Sequence, residues 1–182
     1  MMRFVILGLA VSFGCNANDS NSKVTAEAPR QVVVNEPVDS LYIAKTLSFC
    51  DQVEHNLSSY KQLSKDIGGS TEGGEAKIFI DSKDTVKIEV TFYGETGKSI
   101  QEYYYEGKQF VLFKSKDVFY REPINTTSDV EIDSTAVERI VLKDMKVVHW
   151  VQDEQIKAEN LYPEKTKEVL ILHDELISLI RQ

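Results

Sequence analysis

Cysteine, histidine, proline and tryptophan are all scarce in this 182-residue chain, which has two Cys, three His, four Pro and one Trp. Two cysteines, Cys15 and Cys50, cannot build a disulfide framework. The histidines, His55, His149 and His173, lie far apart, whereas a zinc site takes three or four ligands, often with two close together on one element. There is no Gly-x-Ser-x-Gly elbow and no Cys–His nucleophile signature. Positive charge is in deficit as well: 21 Lys and Arg against 29 Asp and Glu leave a net −8. That balance argues against nucleic acid, whose phosphates need clustered cations. Long apolar runs are missing too. The uncharged stretch Phe4–Gly14 is well short of the roughly 20 residues that cross a bilayer as a helix. The expectation is a chain with no catalytic set, no cofactor, no metal and no nucleic-acid partner.

What is present points to a globular body with a distinctive N-terminus. At 42% hydrophobic and 27% charged residues, the chain can bury a core. Arg3 precedes the apolar stretch Phe4–Gly14, which ends at Gly14-Cys15 and gives way to Asn16-Ala17-Asn18-Asp19-Ser20. This is the layout of an export signal. It resembles a bacterial lipoprotein signal, in which a small residue precedes a Cys that is lipidated and becomes the new N-terminus. Where the usual pattern places Leu three residues before the Cys and a small residue two before, this chain has Ser12 and Phe13. The other reading is a secretory signal cut after Ala17, giving a soluble secreted or periplasmic protein.

The lipoprotein resemblance implies removal of residues 1–14 and two or three acyl chains, of the palmitate class, on Cys15. Each buried methylene contributes about 0.8 kcal/mol, so several chains would anchor the protein durably to a membrane. That places it in the bacterial cell envelope, on the outer membrane if the cell is Gram-negative. Residues 15–38 then form a polar tether containing Pro29 and Pro37, in which Gln31-Val32-Val33-Val34 reads as a short edge strand.

Residues 39–182 read as one α+β domain. From Ser40 to about Asp66, apolar residues recur at three- and four-residue steps, which predicts a helix capped by Asp39 or Ser40. On its apolar stripe Cys50 reads as a small buried residue. The glycine-rich segment 68–74 then switches the period to two. Three hairpins follow, pairing 76–81 with 85–93, 99–105 with 109–114, and 137–142 with 146–151. A short strand is expected near Val118–Arg121 in an otherwise irregular stretch. After an acidic linker, Pro163 opens a C-terminal helix with the stripe Val169, Leu172, Leu176, Leu179 and Ile180. The predicted fold is an antiparallel sheet of about six strands with both helices packed on one side. The strings Tyr93–Lys98, Glu102–Tyr105 and Val148–Trp150 resemble those of exported proteins of Bacteroidota-type genomes that carry no assigned activity.

Each motif with chemical promise has a plainer explanation. Gly94-Glu95-Thr96-Gly97-Lys98-Ser99 ends like a P-loop, but Phe92 stands where the first Gly is required. Asp129, Glu131 and Asp133 alternate like a calcium loop, yet Ser134 and Ile140 fill its Gly and Glu positions. His173-Asp174 are neighbours on a helix and do not face each other. Tyr103-Tyr104-Tyr105 must point to both faces of a strand, so with helices on one side the strip would display at least one Tyr as a binding surface. The function expected is a non-enzymatic binding or envelope-interaction module, meeting an envelope protein or glycan. The alternatives are an envelope hydrolase and an enzyme inhibitor.

Overall fold

The computed structural model describes residues 38–68, 70–124 and 130–181. Cys15, the tether and the Gln31–Val34 run lie outside them, as does Asp129. Two helices and one open antiparallel sheet make up the described chain: α1 (Val38–His55), then β1 (Lys61–Ile67), β2 (Gly74–Asp81), β3 (Asp84–Gly94), β4 (Gly97–Glu106), β5 (Gln109–Tyr120), β6 (Ile132–Lys143), β7 (Lys146–Gln152), β8 (Gln155–Ile156) and α2 (Tyr162–Arg181). Each strand pairs with the next in sequence, in the order β1 to β8. The α+β class and all three predicted hairpins are present, but the sheet has eight strands where about six were expected.

Both extra strands have a local cause. The predicted first helix ends at His55, because Asn56 and Ser59 turn their side chains onto the helix end: Asn56 Nδ2 donates to Gln52 O at 2.8 Å and Ser59 Oγ to Asn56 O at 2.7 Å. Lys61–Ile67, read as the last turns of that helix, pairs along its whole length with β2 as an edge strand. Gln155–Ile156, read as linker, folds back on Val151 and Gln152. The expected short strand near Val118–Arg121 is the far end of β5, which pairs with β6 from Leu112 to Tyr120.

The turns are tighter than predicted. Gly107-Lys108, Asp144-Met145 and Asp153-Glu154 each place two consecutive residues at positive φ, the two-residue hairpin turn whose twist matches the strands it joins. Lys108 (φ 74°) and Met145 (φ 59°) adopt a conformation that favours glycine.

The largest correction concerns the layers. The helices lie on opposite faces of the sheet. Val169 and Leu176 of α2 pack with Ile88, Val90, Tyr103, Phe113, Ile140 and Val147. Cys50 and Val53 of α1 pack with Tyr104, Val111, Leu112 and Val141 on the other face. A bulge opposite Tyr104 and Tyr105 lets the consecutive residues Val111 and Leu112 serve the α1 side together. Tyr42 OH pins the start of α1 by donating to Leu142 O at 2.7 Å. Lys65 Nζ caps the end of α2 by donating to Ile180 O at 2.7 Å. At the β7 edge, the Val147 N–H donates to Thr166 Oγ1 at 3.0 Å and the Lys157 N–H to Trp150 O at 2.9 Å, which uses up pairing groups a neighbouring chain could otherwise take.

Candidate functional site

Strand alternation puts one side chain from each of seven strands into a single row across the α1 face. In register the row runs Lys77, Glu89, Glu102, Lys114, Arg139, Val151 and Ile156, from β2 to β8. Helix α1 covers only part of this face. Its last turn delivers Glu54 to the β3 end of the row, while Lys114, Arg139 and the residues beyond them border an open groove.

Under α1 the row is an ionic cluster built around Lys87, which is 1% exposed. Its ammonium donates to Glu102 Oε1 at 2.5 Å, Glu54 Oε1 at 2.8 Å and Glu89 Oε2 at 3.3 Å. Glu89 and Glu102 stand directly opposite each other across β3 and β4. Such a like-charge pair is unfavourable, and Lys87 bridges it. The Tyr104 hydroxyl donates to Glu54 Oε1 at 2.5 Å and accepts from Lys114 Nζ at 3.2 Å. Burial works against the Glu54 carboxylate, but the hydrogen bonds from Lys87 and Tyr104 outweigh it and hold its pKa below the ordinary value. For Lys87, burial is likewise outweighed by Glu102 and Glu54, so its pKa rises. Burial, then the bond to Glu54 and the charge of Glu102, drive the Tyr104 pKa up, so this phenol stays protonated. Through Glu54, the cluster ties α1 to the sheet.

Beyond α1, the groove has a volume of about 790 Å³ and is lined by Lys114, Val137, Arg139, His149, Val151 and Ile156, among others. Val137 and Ile156 are 47% and 71% exposed, so apolar surface is on offer there. Burial first, and the Arg139 charge second, lower the His149 pKa, which keeps its ring neutral at physiological pH.

The α2 face presents a different picture. Lys165 meets Glu138 at 2.9 Å and Glu168 at 2.7 Å, with its ammonium 5.1 Å from the centre of the Trp150 ring. His173 stacks on Phe110 with ring centres 4.8 Å apart and lies near Tyr103 and Tyr105. The Tyr105 hydroxyl and His173 Nε2 are buried without a protein partner.

The residues singled out in the sequence fall as follows. Tyr103 and Tyr104 are 0% exposed and Tyr105 is 9% exposed, so the expected outward strip is instead core, shared between the two faces. That expectation assumed a one-sided sheet, and α1 covers the side it left open. Cys50 is buried, and burial pushes its thiol up to about 12. His55, His149 and His173 do not converge, and among the described residues no group of three His, Cys, Asp or Glu could hold a metal. Glu131 pairs with Arg121 at 2.5 Å. The Gly94–Ser99 segment joins β3 to β4, as the failed P-loop spacing implied. Sequence reasoning missed Lys87, Glu54, Glu102, Lys114 and Arg139. Alternation with Ile88 and Val90 puts Lys87 on the polar side of its strand, and only the register brings Lys114 opposite Arg139. In comparisons with known protein families, curated proteins and solved structures, the chain matches none.

Proposed function

We propose that this protein is a non-enzymatic binding module held at the bacterial cell envelope by a lipid on Cys15, with the open part of the α1 face as its contact surface. The observation that carries the binding reading is the division of that face. One part is closed by α1 over an ionic cluster, and the other leaves a strand-built groove with exposed Val137 and Ile156. Apolar side chains set beside charged ones on regular backbone form a surface suited to recognition without chemistry. The anchor half rests on the Arg3–Cys15 pattern and the polar, tether-like stretch that follows.

Two experiments test the halves separately. Metabolic labelling with an alkyne fatty acid should mark the wild type and not Cys15→Ser; equal labelling of both removes the anchor. Pull-down from envelope extracts should recover a partner with the wild type and with Ile171→Asp, which alters the outer side of α2, but not with Val137→Asp. Loss with both variants, or with neither, removes the groove as the contact surface.

A further inference from the structure

We draw no further inference here: the strongest candidate, the cavity of about 690 Å³ between the end of β4 and the C-terminal half of α2, is walled by Tyr105 and His173, whose hydroxyl and Nε2 lack a hydrogen-bond partner among the described residues, but both atoms are sealed from solvent and nothing in the structure shows what occupies the cavity.

Discussion

The two faces of the sheet are made from alternate residues of the same strands, yet they solve different problems. The α2 face is mainly apolar from β2 to β7, with one buried ion pair, Lys165–Glu138, and meets a helix that runs from Tyr162 to Arg181. The α1 face mixes a small apolar patch with an ionic row, and α1 covers only part of it. Apolar burial contributes roughly 25 cal/mol per Å² without directional demands. A buried ion cluster returns little net stability, because desolvation offsets the attraction, but it is costly to break. On the proposed binding reading, the α2 face is scaffold and the open part of the α1 face carries specificity.

The largest expected effect lies on the scaffold side. Tyr103→Ala should lower unfolding free energy by about 3–5 kcal/mol in chemical denaturation, as for other large-to-alanine changes in a core. The matched change Lys116→Ala, on an exposed strand position, should stay within about 0.5 kcal/mol. A similar loss at both positions would erase the distinction between core and open surface.

Next comes the ion cluster. Lys87→Met should cost about 3 kcal/mol, because it leaves Glu54, Glu89 and Glu102 together without their cation. Adding Glu54→Gln and Glu102→Gln to that variant should recover much of the loss. If the triple variant is less stable than Lys87→Met alone, the carboxylates are not what the lysine balances.

The acid limb of stability sharpens the contrast further. Glu54 has a folded pKa below its ordinary value of 4.5, so its contribution is present above that value and is lost as pH falls through the folded pKa. The folded protein should therefore lose stability on acidification below about pH 4.5, and Glu54→Gln should flatten that slope. An identical slope in the variant would contradict the ionic account of α1 docking.

The smallest effect belongs to neither face. Met145 sits at φ 59° in the β6–β7 turn, so Met145→Gly should raise stability by about 0.5–1 kcal/mol through relief of left-handed backbone strain. A loss of stability there would mean that the Met145 side chain contributes more than its backbone costs.

Much of the scaffold was legible from period alone. The alternation Ile88, Val90 and Phe92, and the helical stripe ending at Leu176 and Ile180, each mark an apolar face that must be covered. Two things were not legible. Lys61–Ile67 follows helical spacing closely enough to be taken for helix, and its strand state depends on pairing with β2, a contact that local pattern does not encode. The covering of both faces was the other. A stripe on α1 says that it packs on something, without saying which side of the sheet, and the Tyr103–Tyr105 run suits either arrangement. The candidate site was least legible of all. Lys114 and Arg139 are 25 positions apart and are joined only by a register that the long β5–β6 pairing fixes.

The central claim is that contact with a partner is made through the open α1 face and not through the α2 layer. Photo-crosslinking in intact cells tests it most directly, with a benzophenone side chain placed either at Val137 in the groove or at Ile171 on the outer side of α2. The account predicts a discrete adduct from position 137 and none from 171. An adduct from 171 alone, or equal adducts from both, would contradict it.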